Sequence, residues 1–383
     1  MKCAKSLVAI ITCTAIGLVH NANACTGITL KAKDKSVVVA RTIDWSGSEM
    51  SNMYAIVPRG HESQSLLPNG GTDGMKFTSK YGYVGLAVEQ PEFVVDGTNE
   101  AGLSAGLFYF PEYGKYEPYN PDDKSSSLAD FQFVSWILSQ FSTIDQVKEA
   151  IKDIHIVNID KRAATVHWRI AEPNGRVVVL EIVNGVPTFY ENSLGVLTNA
   201  PGFPWQTTNL NNYVNLKPGT AGPTTMGSII LRAFGSGSGF LGLPGDFTPP
   251  SRFVRAAFLQ SYSVPQSNSY DSVMQAFHIL NNFDVPLGVQ FAEGKAPNNM
   301  PSATQWTIAT DLDNRIIYYH TMYNRTLRSI NMMDINFETV PYQYHSLDTV
   351  QRQTIVPVEI STTASVAEPM RTVQEIGNKV FNR

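Results

Sequence analysis

Residues Ala22-Asn23-Ala24-Cys25 hold the clearest chemical signal in this chain. Before them stand Lys2 and Lys5 and an apolar stretch from Leu7 to Val19. This is the charged, apolar and small-residue order of a secretory signal with an A-x-A cleavage site. Cleavage after Ala24 would make Cys25 the first residue, so that one residue holds both a thiol and a free α-amine. An α-amine titrates at about 7.7–8.0 against about 10.4 for a lysine side chain, and near neutral pH part of it is free to take the thiol proton. Such a nucleophile needs no histidine, which suits a chain whose seven His residues are scattered without metal-ligand spacing.

Cys3 and Cys13 fall in the segment to be removed, leaving Cys25 as the only thiol and excluding an intrachain disulfide. Exported proteins ordinarily spend cysteines on disulfides, so this one requires another explanation. Inert burial, lipid attachment and nucleophilic catalysis compete. A lipid-anchored envelope binding protein is the reading from another class, although Ala22 stands where lipoprotein signals usually carry Leu. Removal of residues 1–24 leaves 359 residues with 27 basic and 33 acidic side chains, a balance of −6. A mildly acidic chain without basic runs argues against nucleic acid or an anionic membrane surface as partner. The 7–19 stretch is shorter than the roughly 20 residues that span a bilayer, and no later segment is longer, so no membrane span is expected. An apolar fraction of 43% supplies a full core for one large domain or two ordinary ones.

The elements that must position Cys25 begin with a hairpin. Thr26–Lys31 and Ser36–Ile43 are β-rich around Asp34-Lys35. A turn centred there sets Cys25 opposite Asp44 and Ile28 opposite Arg41, although strand parity puts 41 and 44 on opposite faces. Further strands are expected at 53–58, 83–89, 92–95 and 103–110, the last after a Gly97-Thr98-Asn99-Glu100 turn. Periodicity predicts helices over 128–141, from Ser142-Thr143 onward, and over 251–261 and 270–281. A hairpin is predicted at 165–171 and 177–183 around Pro173-Asn174-Gly175, and strands near 196–198, 306–310 and 315–323. Strand runs separated by helix pairs imply an α+β layered architecture with largely antiparallel sheets. The Gly-, Pro-, Asn- and Thr-rich region 200–250 reads as an ordered excursion, and the tail after about residue 348 as a peripheral extension.

Two other signals lead nowhere. Gly237-Ser238-Gly239-Phe240-Leu241-Gly242 matches G-x-G-x-x-G but has no βαβ context. His167, alone in a strand, reads as a core or surface position.

Cys25-Thr26-Gly27, Ala40-Arg41-Thr42-Ile43-Asp44-Trp45, Asp96-Gly97-Thr98-Asn99-Glu100 with Gly102-Leu103, Thr198-Asn199-Ala200-Pro201, and Leu243-Pro244-Gly245-Asp246 through Ser251-Arg252-Phe253-Val254-Arg255 occur in this order. Together they resemble the choloylglycine hydrolase family of bile salt hydrolases and penicillin V acylases, within the N-terminal nucleophile hydrolases. The resemblance covers residues 25 to about 330. It implies a four-layer αββα sandwich of two antiparallel sheets, with 25–348 as the catalytic domain and 349–383 as an extension. It also implies that Cys25 attacks an amide carbonyl while its own amine shuttles the proton. Arg41 would stabilise the thiolate and Asp44 would orient the amine. Asn199 and the Tyr109 N–H would form the oxyanion hole, and Arg252 would hold the charge network. Candidate pocket residues are Ile43, Trp45, Phe108, Phe131 and Trp136.

Tyr109 stands where bile salt hydrolases usually carry Asn and penicillin V acylases Tyr, which favours penicillin V. The wider occurrence of bile salt hydrolysis among such homologues favours glycine or taurine conjugates, and that reading is preferred. The expected enzyme is periplasmic or secreted and needs no cofactor or metal. It would form a homotetramer through the 200–235 loop.

Overall fold

The computed structural model describes residues 23–160, 164–291 and 300–360. All but the last two residues of the expected signal lie outside this range, as does the chain beyond 360. The described residues up to Gln351 form one compact unit, and 352–360 carry no regular element.

β1 (Asn23–Lys31) and β2 (Val37–Trp45) form the predicted hairpin, one residue out of the expected register. Cys25 faces Ile43, Ala24 faces Asp44 and Gly27 faces Arg41. The loop has three residues and not an even number. Ala32 N–H donates to the Ser36 carbonyl (2.9 Å), Lys35 N–H to the Ala32 carbonyl (3.1 Å), and Lys35 takes a φ of 77°. A type I turn closed by one left-handed residue is the usual three-residue hairpin. It places the centre on Asp34, which corrects the expected pairing of Cys25 with Asp44.

β3 (Asn52–Val57) follows, then a ribbon of β4 (Glu62–Gln64) and β5 (Lys76–Thr78). β6 (Tyr83–Val88), β7 (Val94–Asn99) and β8 (Ser104–Tyr109) make a meander. Gly97 to Asn99 lie in β7 and are not the expected turn. The reversal is at Glu100–Gly102, where Gly102 takes a φ of 91°. Asn99 pins it: its Oδ1 accepts from the N–H groups of Ala101 and Leu103, and its Nδ2 donates to the carbonyls of Leu138 and Phe141.

The helix expected from residue 128 begins at 133. Ser127–Ala129 is the short strand β9, α1 spans Phe133–Gln140, and α2 (Ile144–Ala150) starts at a capping box between Thr143 and Gln146. β9 pairs in parallel with β10 (His155–Val157). β11 (Val166–Ala171) and β12 (Val177–Val183) form the hairpin read from Pro173-Asn174-Gly175, and β13 (Val186–Glu191) extends it. The segment at 196–198 makes only an isolated bridge, Leu197 to Gly27.

The excursion holds α3 (Phe203–Asn209) and a hairpin of β14 (Thr224–Met226) and β15 (Ile229–Leu231). α4 (Pro249–Tyr262) and α5 (Ser269–Leu280) precede β16 (Thr304–Asp311), β17 (Ile316–Thr321), β18 (Arg328–Asn331) and β19 (Gln343–Ser346).

One sheet runs β1-β2-β16-β17-β18 and the other β13-β12-β11-β8-β7-β6-β3-β19, all antiparallel. α4 and α5 pack on the first sheet through β1, β2 and β16, and α1 packs on the second through β7 and β8. Helix, sheet, sheet and helix thus give the αββα sandwich. Strands covered on both faces read as near-continuous apolar runs, as in Val37-Val38-Val39-Ala40 and Val177-Val178-Val179-Leu180, all buried. Gly27 allows the sheets to approach: a Cβ there would lie 2.7 Å from Phe108 Cζ of β8.

Candidate active site

Cys25 sits near the start of β1. By register it shares a face with Gly27, Arg41 and Ile43, the face turned to the second sheet. Thr26, Thr42 and Asp44 point the other way, toward α4. Cys25 and Asp44 both reach one cavity at the strand ends, of about 530 Å³.

Arg41 is fully buried between the sheets. Its guanidinium lies 4.1 Å over the Phe108 ring. Nη1 donates to the carbonyls of Val95 and Leu107, and Nε to that of Thr42. The Val95 carbonyl is free for this because β7 bulges there: Leu86 pairs with Asp96 but Ala87 with Val94. Bulges often re-aim backbone beside functional sites. Nη2 has no hydrogen-bond partner among the described residues although Arg41 lines the cavity with Cys25. It is a buried cationic donor on the cavity that the thiol residue also lines.

Asp44 accepts from Thr304 Oγ1 (2.6 Å) and Thr42 Oγ1 (3.3 Å). Burial pushes its carboxyl up to about 7, against the pull of Arg252 and both hydroxyls.

Asn199 joins the other groups. Its Oδ1 accepts from Cys25 N–H (2.8 Å) and Arg252 Nη2 (2.8 Å), while Nδ2 donates to the Tyr109 carbonyl (2.8 Å). Two donors on one side and an acceptor on the other fix the amide's orientation. Here Cys25 is still joined to Ala24, so the nitrogen held by Asn199 is an amide. Arg252 on α4 also donates to the Cys25 carbonyl, to Thr26 Oγ1 (2.9 Å) and to the Phe247 carbonyl (2.9 Å). Burial lowers its pKa to about 10, while Asp44 and Cys25 oppose the change.

Tyr109 ends β8. Phe110 N–H donates to Thr165, so the alternation of an antiparallel ladder turns Tyr109's own N–H and C=O away from β11. They point to the edge where Asn199 meets its carbonyl.

Ile43, Trp45, Phe131 and Tyr109 line the cavity, but Phe108 and Trp136 do not. Phe108 is filled in between Gly27, Arg41 and His167, and Trp136 packs on Phe133 and Phe141. Both are core, which corrects their expected pocket role. Met50, Phe93 and Ile159 complete the apolar wall, with Glu89 and Asp160 also on it. These come from loops whose convergence the sequence does not announce.

The ion pair behind Arg41 was also missed. Asp96 lies 3.1 Å from Arg169 Nη2 and 3.8 Å from Arg41 Nη1, all essentially buried. Gly106 makes room, since a Cβ there would meet Asp96 Oδ2 at 2.4 Å. The available signal was a charged residue within each of three otherwise apolar stretches, since buried charges need partners. No cluster of His, Cys, Asp and Glu among the described residues is placed to hold a metal ion, and no helix among them is long and apolar enough to cross a membrane.

Residues 25–350 match the model of linear amide C–N hydrolases, choloylglycine hydrolase family. A bile salt hydrolase/transferase of Clostridium perfringens is 32% identical over 331 residues, covering 84% of this chain and 97% of its own. One of Lactiplantibacillus plantarum is 32% identical over 266 residues, covering 68% and 80%. Among solved structures, a mutant of the conjugated bile acid hydrolase from Clostridium perfringens superposes with a TM-score of 0.74 at 29% identity, covering 88% of this chain and all of its own. Penicillin V acylase from Agrobacterium tumefaciens superposes at 0.66 with 23% identity, covering 85% and 91%, a likeness of fold.

Proposed function

Because the chain belongs to the choloylglycine hydrolase family of linear amide C–N hydrolases, we propose that it is an exported enzyme whose Cys25 thiol cleaves glycine- or taurine-conjugated bile salts. Hydrolysis of a linear amide is the family's reaction. The cysteine nucleophile, export and the bile salt substrate are the reading advanced here. Its main support is the placement of Cys25: the thiol residue is in the wall of a largely apolar cavity while its nitrogen is held 2.8 Å from Asn199 Oδ1.

In this mechanism removal of residues 1–24 frees the α-amine. The amine takes the thiol proton, Sγ attacks the amide carbonyl carbon, and the C–N bond breaks as the amine returns the proton to the leaving nitrogen. Water then hydrolyses the thioester. The second N–H of Asn199 and the N–H of Tyr109 meet the oxyanion. Such preorganised donors are worth about 100–1000-fold each. The apolar wall takes the acyl group. The bile salt hydrolases among the relatives support steroid acyl groups, and Tyr109 on the wall is the observation that favours penicillin V.

The test is to determine the N-terminal mass of the purified secreted protein and assay it with glycocholate, taurocholate and penicillin V. A free Cys25 terminus with turnover of the conjugates supports the proposal, and turnover of penicillin V alone reassigns the substrate. A diacylglycerol adduct at Cys25, or another terminus without amide hydrolysis, overturns it.

Assembly through the excursion belongs to the same proposal. Met226, Ile229 and Ile230 on β14 and β15 are more than half exposed, and Phe234 is fully so. Large apolar side chains so grouped mark contact surfaces. Ile230→Lys is expected to lower the mass seen by light scattering; an unchanged mass refutes this contact.

A further inference from the structure

His167 on β11 is fully buried and has an acceptor on each ring nitrogen. Nδ1 lies 3.2 Å from Glu181 Oε1 of β12, and Nε2 lies 3.0 Å from the Thr198 carbonyl. The Thr198 carbonyl can only accept, so the ring proton of that contact is on Nε2. Glu181 Oε1 also accepts from Phe203 N–H at 2.7 Å, which holds the carboxyl against Nδ1. The ring is stacked 4.4 Å from Phe110 and meets Phe108 edge-on, so its rotation is fixed.

The Thr198 carbonyl belongs to the peptide that bears Asn199. We propose that His167, held by Glu181, donates its Nε2–H to the Thr198 carbonyl and so positions the Thr198–Asn199 peptide and through it the amide that holds Cys25 N and faces the oxyanion. His167 is thus a positioning residue for the reaction proposed above, on which the catalytic half of this inference rests. Around the pair stand Tyr190 of β13, whose hydroxyl feels Glu181, Arg41 beyond the Phe108 ring, and Arg252 beyond Asn199.

His167→Gln keeps an N–H that can reach the Thr198 carbonyl, and His167→Leu removes the donor.

The experiment is proton–nitrogen NMR of the ¹⁵N-histidine-labelled protein, with kcat and KM of wild type, His167→Gln and His167→Leu. A hydrogen-bonded Nε2–H at position 167 is expected, with kcat of His167→Leu down about tenfold at an unchanged KM and partly restored in His167→Gln. An Nε2 without a proton overturns the contact, and a folded His167→Leu enzyme with the kcat of wild type overturns the positioning role. The spectrum requires no turnover, so failure of the proposed function is read separately from failure of the contact.

Discussion

Replacing Asn199 by Asp separates two tasks of one side chain. The Oδ1 atom, which accepts from Cys25 N–H and Arg252 Nη2 at 2.8 Å each, is retained. The Nδ2 group, which donates one hydrogen to the Tyr109 carbonyl at 2.8 Å and in the proposed mechanism offers the other to the oxyanion, becomes an oxygen. Ionised, that oxygen repels the Tyr109 carbonyl; protonated, it spends its only hydrogen there. In both cases the oxyanion loses a donor. One such donor is worth about 2.7–4 kcal/mol of barrier, so kcat should fall about 100–1000-fold with KM little changed, since the bond strengthens in the transition state. Asn199→Ala also strips the acceptor from the buried Arg252, which costs about 1–3 kcal/mol of stability, and its Tm should fall where that of the Asp variant does not. The assay is steady-state hydrolysis of glycocholate beside thermal unfolding. A folded Asn199→Asp enzyme with kcat within about threefold of wild type would refute the donor role.

Asp96→Asn leaves Arg41 and Arg169 buried without their counter-charge. Breaking such a pair costs about 3–5 kcal/mol, and an unchanged denaturation midpoint would show that the pair contributes nothing. Gly27→Ala drives a methyl to 2.7 Å from the Phe108 ring. Overpacking of this kind costs about 1–3 kcal/mol, measured as a lower urea midpoint, which Phe108→Leu in the same chain should partly restore. Burial pushes the Asp130 carboxyl up to about 7, while the Phe131 N–H and the Tyr116 hydroxyl pull it down. The folded state therefore holds this proton where the unfolded chain has lost it, and stability falls as pH rises from about 4 to 7. Asp130→Asn should flatten that slope in urea titrations; a slope equal to wild type would exclude Asp130 as its source.

The β1–β2 hairpin, the β11–β12 hairpin and the capped α2 were legible because each rests on residues a few positions apart. Turn chemistry at Pro173-Asn174-Gly175 and the capping box from Thr143 to Gln146 act locally, and sequence displays them directly. Local information failed by one residue at Lys35: a left-handed residue after a type I turn is not visible in Asp-Lys, and one residue changes which side chain faces Cys25. The start of α1 failed because Ser127–Ala129 finds a partner in β10, a contact that periodicity cannot register.

At the site, the order of Cys25, Arg41, Asp44, Asn199 and Arg252 named the candidates without their geometry. The chain alone determined which groups are available and that a thiol follows an A-x-A triplet. Tertiary structure decided that Asn199, 174 residues away, grips Cys25 N, and that a bulge at Val95 offers Arg41 a carbonyl. It also decided that Phe108 is core while Met50, Phe93 and Ile159 make the wall. The physical reason is one of range. Propensity and turn preference act over a few residues, whereas a buried charge takes its partner from whichever strand the sheet order sets beside it.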